Sequence, residues 1–319
     1  MARDEEGISH SPVMLAQALS ALDVQPRGVY LDATFGRGGH AEAILSKLSA
    51  DCRLLCIDRD PAAIRSAASK HASDPRVCVF HAEFSDLSAC ADRVSTGLCF
   101  DGILFDLGVS SPQLDDAQRG FSFMQDGPLD MRMNEGQGPS AADVVNSASE
   151  AQLSRIFFEL GEERHAKRIA RAIAADRGEQ PFSTTLQLAQ MIARVAPSRD
   201  RHKHPATRVF QALRMHVNRE LEQLQLGLRA AMDRLNPGGR LAVISFHSLE
   251  DRIVKHFFRD HASVDPMYAG LPDIPAHVRP RLKLVGKSIE PEQIEIDRNP
   301  RARSARLRIA QRIPHGHAA

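Results

Sequence analysis

No stretch of this sequence is long and apolar enough to cross a membrane, and nothing near Met1 has the pattern of a secretory leader. Charge of one sign is also lacking: 41 Lys and Arg stand against 40 Asp and Glu, a net +1. That balance argues against a wholly basic nucleic-acid coat protein, while leaving room for local patches. Cysteine is sparse. Cys52, Cys56, Cys78, Cys90 and Cys99 crowd into one region without a C-x-x-C and sit mostly in apolar runs, which suits core thiols in a reducing cytoplasm and not a metal site. Repeats and low-complexity tracts are absent too. At 319 residues, 43% hydrophobic and 25% charged, the chain reads as a soluble globular protein with ample core for one large domain or two ordinary ones.

The organising stretch is Gly28-Val29-Tyr30-Leu31-Asp32-Ala33-Thr34-Phe35-Gly36-Arg37-Gly38-Gly39-His40. A short apolar run with Val and Tyr predicts a buried strand. A glycine-rich turn follows, and the spacing of Ala41, Ile44, Leu45 and Leu48 starts a helix. Strand, glycine turn and helix form the first unit of a doubly wound sheet, where a nucleotide-like ligand lies against the loop. Glycine suits such a loop because a Cβ would hold the backbone away from the ligand. The next strand, Arg53-Leu54-Leu55-Cys56-Ile57, ends in Asp58, about twenty residues on, the offset of an acid that takes a ribose hydroxyl. Asp60-Pro61 then caps a helix, with Pro at its first position. An adenosine-containing cofactor follows. G-x-G-G departs from the dinucleotide pattern G-x-G-x-x-G, and no Tyr-x-x-x-Lys relay is evident. S-adenosylmethionine, which has no phosphate, suits the looser turn.

Further along, Ser11-Pro12 reads as the cap of a helix through Leu19 and Leu22. Val77 to His81 is a third strand and Asp101 to Leu107 a fourth. From about Leu114 the rhythm changes to a long irregular segment, then to helical spacing around Leu153, Ile156 and Phe157, around Ile169 and Ile173, and around Leu188 and Ile192. After a long helix, Asn236-Pro237-Gly238-Gly239 turns the chain into a fifth strand, Arg240 to Ser245. Ser248 with Asp251 predicts a capping box for the next helix. Leu282 to Val285 and Leu307 to Ala310 look like a final hairpin-like edge pair. The reading is α/β: a doubly wound, mostly parallel, Rossmann-like sheet with an inserted helical domain. Residues 1–113 and 215–319 would form the discontinuous cofactor-binding domain, and 114–214 the helical insertion.

Open α/β sheets place reactants beyond the carboxyl ends of their strands. That rule gathers Gly36 to His40, Asp58, Phe84, Asp106 to Gln113, and Ser245-Phe246-His247 on one rim. Phe84 could face adenine, or could be an ordinary core residue. Asp106 ends an apolar strand where Asp is disfavoured, which a ligand explains better than folding does. His247 could accept a proton or stack on a base, or could be a histidine satisfied beside a helix cap. Two basic clusters, one including Arg199, Arg201, Lys203, His204 and Arg208 and the other Arg301 and Arg303, could meet RNA phosphates. Arg132 and Arg164 could instead pair with Asp130 and Glu163.

The whole pattern resembles the ribosomal RNA small subunit methyltransferase H family. The runs that carry it include Thr34 to His40, Ile57 to Pro61, Asp106 to Asp115, Asp126 to Met133, Gly161 to Arg164, His204 to Arg208, Ser245 to Arg252 and Asn299 to Ser304. The resemblance spans nearly the full chain and matches only loosely around Val264 to His277. It implies a class I methyltransferase that uses S-adenosylmethionine to methylate N4 of a cytidine in the decoding region of bacterial 16S rRNA. It also implies cofactor contacts at Gly38, Gly39, His40, Asp58, Phe84, Asp106 and Gln113; Gln113 rests on the resemblance alone. The partner implied is 16S rRNA within the small ribosomal subunit, with no membrane; assembly as a homodimer is compatible with the sequence.

The lone pair of N4 is delocalised into the ring, so an acceptor on the amino hydrogens would help it attack. Asp106 is the expected acceptor, with Ser110 or Ser111 as auxiliaries and His247 as a second candidate. The helical insertion is the expected RNA-recognition domain.

Overall fold

The computed structural model describes residues 12–197, 204–264, 267–268, 275 and 278–314. Apolar runs of strand length, buried on both faces in the central strands, build its sheet. Along the chain come α1 (Leu15–Leu22), β1 (Val29–Asp32), α2 (Gly39–Leu45), β2 (Arg53–Asp58), α3 (Pro61–Lys70), β3 (Val77–His81), α4 (Leu87–Val94) and β4 (Phe100–Asp106). Helices then follow one another, without a strand among the described residues: α5 (Ser111–Asp115), α6 (Ala141–Ser147), α7 (Glu150–Glu159), α8 (Ala166–Asp176), α9 (Thr185–Val195), α10 (Thr207–Val217) and α11 (Glu220–Arg234). The chain returns to β5 (Leu235–Ser245), α12 (Ser248–Ala262), β6 (Leu282–Leu284), α13 (Gln293–Arg298) and β7 (Arg306–Arg312).

Among the described residues the sheet has seven strands, in the order β3-β2-β1-β4-β5-β7-β6. Strands β1 to β5 pair in parallel, and β7 runs antiparallel to both β5 and β6. The fold class is therefore α/β, doubly wound and mostly parallel. Period-two alternation sends Leu31, Leu55, Ile57, Ile103, Phe105, Leu241 and Val243 to one face, where α4, α11 and α12 cover them. Tyr30, Leu54, Cys56, Leu104, Ala242 and Ile244 face the other way, onto α1 and α2.

The chain divides into two compact units, one of residues 1–108 and 224–319, the other of 109–223. The boundary at 223/224 falls inside α11, so no Gly or Pro marks it in the sequence. The second unit has its own core, built from Leu153, Phe157, Ile169, Ile173, Leu188, Ile192, Val209 and Leu213 among others. Ser140 with Asp143, Ser149 with Gln152 and Thr184 with Gln187 form capping boxes for α6, α7 and α9. The irregular segment before α6 is held by Asn218, only 2% exposed. Its Oδ1 accepts the Met133 N–H at 2.8 Å, and its Nδ2 donates to the Met131 carbonyl at 2.7 Å. Asp130 pairs with Arg132 at 2.6 Å, whereas Glu163 accepts the His165 N–H.

Local details differ from expectation in three places. Ser11 lies outside the described residues, and α1 starts only at Leu15, after Met14 in a left-handed turn whose N–H is taken by Glu295 Oε1 at 2.6 Å. The Asn236-Pro237-Gly238-Gly239 segment is absorbed into β5, with the register to β4 shifting between Phe100 and Gly102. Helix α12 is capped by His247, not by a Ser248–Asp251 box: His247 Nδ1 accepts the Glu250 N–H at 3.4 Å. Asp251 is engaged elsewhere, by Nε and one Nη of Arg308.

Candidate functional site

The strand order reverses between β1 and β4, which lie side by side with Asp32 opposite Leu104. The chain leaves these two strands in opposite directions, so a crevice opens beyond their carboxyl ends. Four ionisable side chains stand at that edge: Asp32 ends β1, Asp58 ends β2, Asp106 ends β4, and His40 lies in the first turn of α2.

A chain of contacts joins Asp32, Asp106 and His40. Asp32 Oδ1 accepts the Thr34 N–H at 3.1 Å, and Thr34 Oγ1 accepts the Asp106 N–H at 2.6 Å. His40 Nε2 lies 3.4 Å from Asp106 Oδ2. Asp32 Oδ2 and Asp106 Oδ1 are both buried and have no hydrogen-bond partner among the described residues. Oxygens left like this in a native fold call for an explanation, and a bound donor is the simplest.

Burial pushes the Asp32 carboxyl up to about 6, against the pull of His40 and of the Thr34 N–H. Asp58 is likewise lifted by burial to about 6, although it accepts N–H groups from Asp60 at 2.8 Å and Gly36 at 2.7 Å. For His40, burial acts against the charged ring, but the hydrogen bond and charge of Asp106, with the charge of Asp32, leave its pKa above the ordinary value. The edge is thus rich in acceptors, and it suits a ligand that brings hydrogen-bond donors and positive charge.

The glycine turn has a reason internal to the fold. Gly38 has φ +84°, and a Cβ there would meet the Phe35 ring at 2.5 Å. On Gly39 a Cβ would lie 2.2 Å from Pro12 Cγ. The expectation that these glycines make way for a ligand is therefore incomplete: the protein's own Phe35 and Pro12 already exclude side chains. Phe84 lies in a 3-10 turn, half-buried, with its ring edge-on to Phe105 at 5.4 Å. It belongs to the core as much as to the edge.

His247 is held within its helix cap, its Nε2 3.1 Å from Glu250 Oε1, while Glu250 Oε2 accepts the Phe246 N–H at 2.9 Å. In the second unit, Ser110 and Gln113 form the capping box of α5, with Gln113 Oε1 accepting the Ser110 N–H at 2.9 Å, and Ser111 is the first residue of that helix. His204 Nδ1 accepts the Ala206 N–H at 3.1 Å, and its ring lies 4.6 Å from that of Phe123. Arg208 is exposed and donates to the Glu162 carbonyl. Arg199, Arg201 and Lys203 lie outside the described residues. At the other cluster, Arg301 and Arg303 are exposed on a 3-10 turn (Pro300–Ser304), and Arg306 and Arg308 are paired with Glu290 and Asp251.

Two residues escaped the sequence reading, Asp32 and Thr34. The signal was available for the first, since Asp is as much out of place at the end of β1 as at the end of β4. Thr34 carries no such signal, because its role depends on how β1 and β4 lie together.

Residues 7–313 match the sequence model of the MraW methylase family. A protein named Ribosomal RNA small subunit methyltransferase H from Idiomarina loihiensis is 52% identical over 306 residues, covering 95% of this chain and 97% of its own. One of the same name from Stenotrophomonas maltophilia is 53% identical over 303 residues, covering 95% and 93%. Among solved structures, an rRNA methylase from Streptococcus thermophilus aligns over 94% of this chain and 92% of its own, with 12% identity and a TM-score of 0.40.

Proposed function

This chain belongs to the MraW methylase family, and from that premise we propose that it transfers a methyl group from S-adenosylmethionine to RNA of the small ribosomal subunit. The acceptor in this reading is the N4 amine of a cytidine in the decoding region of 16S rRNA. Full-length relatives at about half identity bear the name Ribosomal RNA small subunit methyltransferase H, which supports the coarser part of this reading, methylation of small-subunit rRNA.

The acceptor set at the sheet edge fits the cofactor. S-adenosylmethionine supplies a methyl group made electrophilic by its sulfonium, and it carries an ammonium group and ribose hydroxyls besides. Asp58, lodged against the Gly36 N–H, would accept from the ribose. The unpartnered Asp32 Oδ2 and Asp106 Oδ1 would accept further donors in a crevice where positive charge is favoured. Gly38, Gly39 and His40 would border the ligand on the loop side, and Phe84 would border its adenine. Gln113, Ser110 and Ser111 belong to the second unit, and their parts in the reaction follow from the family resemblance.

Asp106 is the residue on which this reading turns. Accepting a hydrogen bond from the N4 amine, it would favour a pyramidal nitrogen and stabilise the positive charge that develops on attack. His40 lies 3.4 Å from the other carboxylate oxygen, which leaves Oδ1 to face an incoming donor. Positioning amine and methyl in line supplies much of the remaining acceleration. His247, engaged by Glu250, is better suited to shaping the start of α12 than to taking the proton. The second unit, with Arg208, and the exposed Arg301 and Arg303 would hold the RNA.

Mass spectrometry of nucleosides from 16S rRNA tests the proposal. A strain lacking this protein should lose an N4-methylated cytidine that its parent contains, and restoring the gene should bring it back. An unchanged nucleoside profile overturns the reading.

A further inference from the structure

The three residues ahead of α1 lie against the glycine turn. Pro12 Cγ stands 2.2 Å from the place a Cβ on Gly39 would take, so its ring rests directly on the backbone of the turn. The Val13 carbonyl faces the buried His40 ring, where it favours the charged form. Met14 follows at φ +54°, its side chain wholly buried in the core layer that holds Phe35, Ala41 and Ile44. A left-handed methionine persists only where its surroundings hold it. Two bonds do so: its carbonyl accepts the Ala18 N–H at 2.8 Å, and its own N–H goes to Glu295 Oε1 at 2.6 Å. Glu295, half-buried on α13, lies 281 positions further along the chain.

This strap bears on His40 because of where the partners of the ring come from. Asp106 ends β4, with its Oδ2 3.4 Å from His40 Nε2, and Asp32, which also favours the charged ring, ends β1. Both acids are fixed by the sheet. His40 instead rides on the first turn of α2, the turn on which Pro12 and Val13 press. Helix α1 packs on α2 but carries no ionisable side chain. The distance from ring to Asp106 thus depends on how the strap is seated.

We propose that Glu295 is a positioning residue for the methyl transfer. By holding the Met14 N–H it seats Pro12 and Val13 on Gly39 and His40, and this keeps the His40 ring against Asp106. The inference rests on the proposed function and deepens it, since Asp106 is there the residue that meets the amine. A carboxylate suits the task, because its hydrogen bond to a backbone N–H is about twice as strong as a neutral one. Small displacements count at such a site: about 1 Å, caused far from the chemistry, can cost about a hundred-fold in rate. Without Glu295 the strap loosens, the Val13 carbonyl leaves the ring, and the imidazolium beside Asp106 is less favoured.

The experiment uses the full chain and three variants, Glu295→Ala, Glu295→Gln and Pro12→Gly, with S-adenosylhomocysteine binding measured for each as a check of folding. Two readouts are taken. One is the titration of the His40 ring by NMR on cofactor-free protein carrying isotope-labelled histidine, its signal assigned with His40→Gln. The other is the pH profile of kcat on small-subunit RNA. In Glu295→Ala and in Pro12→Gly the His40 midpoint should move to lower pH, and the alkaline limb of kcat should move with it. At alkaline pH kcat should fall about ten-fold in both, with KM for RNA unchanged. Glu295→Gln, whose amide oxygen can still accept the Met14 N–H, should stay within about two-fold of wild type. A lower Tm in Glu295→Ala, with the His40 midpoint and the pH profile at wild-type values, makes the contact a staple of the two termini alone and refutes the proposal. So does a Glu295→Gln that loses as much as Glu295→Ala. A wild-type protein that methylates no ribosomal RNA refutes the underlying activity instead; the titration, made without cofactor or RNA, still decides whether the strap governs His40.

Discussion

The Asp106 N–H donates to Thr34 Oγ1 at 2.6 Å, so the ends of β4 and β1 are joined by a side chain as well as by the sheet. This linkage fixes the backbone under Asp106 while leaving its carboxylate to His40 and to whatever enters the crevice.

Asp106→Ala should lower kcat by about a hundred-fold or more, the scale of losing one group that stabilises developing charge. Cofactor affinity should fall much less, since Asp58 and the glycine turn remain. Single-turnover methyl transfer beside calorimetric binding of S-adenosylhomocysteine separates the two. Wild-type turnover in this variant would remove Asp106 from the chemistry.

The raised carboxyls set a pH dependence of stability. Asp32 and Asp58 keep their protons up to about pH 6 when folded, against 3.8 for the ordinary carboxyl. Between these values the folded state binds more protons than the unfolded chain, so stability falls as pH rises from about 4 to about 6. His40, raised by Asp106 and Asp32, adds a loss of the same sign at higher pH, as its folded form gives up its proton. Asp32→Asn should remove about 3 kcal/mol of the decline across the acid window. Thermal melts of both proteins from pH 4 to 7 measure it, and parallel curves would contradict the assignment.

Gly39→Ala should destabilise the cofactor-free protein by about 1–3 kcal/mol, because its Cβ would overlap Pro12. If the glycine were needed only for a ligand, the melt without cofactor would be unchanged and only binding would suffer.

The C-terminal arginines should sort by exposure, Arg301 and Arg303 being exposed and Arg308 half-buried. Arg301→Gln with Arg303→Gln should raise KM for RNA and lower its salt sensitivity, with little change in Tm. Arg308→Ala should instead cost about 1–2 kcal/mol of stability, since both arms of its guanidinium hold Asp251. Urea melts and RNA-dependent kinetics on the two variants make the comparison.

Asn218→Ala should destabilise the second unit by about 2–4 kcal/mol, leaving the Met133 N–H and the Met131 carbonyl buried without partners. Hydrogen exchange should show faster exchange around Met131 and Met133 before it does in the sheet.

Much of this was legible beforehand wherever the cause is local. Apolar runs ending in Asp58 and Asp106, the Asp60-Pro61 cap and the helical spacing of Leu153, Ile156 and Phe157 depend on neighbours within a turn or two. What eluded the sequence is set by distant partners. His247 outcompetes Ser248 as the cap because Glu250 is drawn back to the Phe246 N–H, and Asp251 is drawn off by Arg308, 57 positions away. The Asn236 to Gly239 segment looks like a free turn until the register with β4 makes it part of a strand. The switch point made the crevice foreseeable; the Thr34 bridge within it was not.

Strand β7 lies between β5 and β6 and bonds to both. A protease that cut ahead of Arg306 and released β7 would therefore do more than trim a tail. It would bare β5 and strip β6 of its neighbour, turning a finished sheet into one with open, adhesive borders. For this fold, the integrity of seven residues separates a dispersed molecule from the seed of a clump.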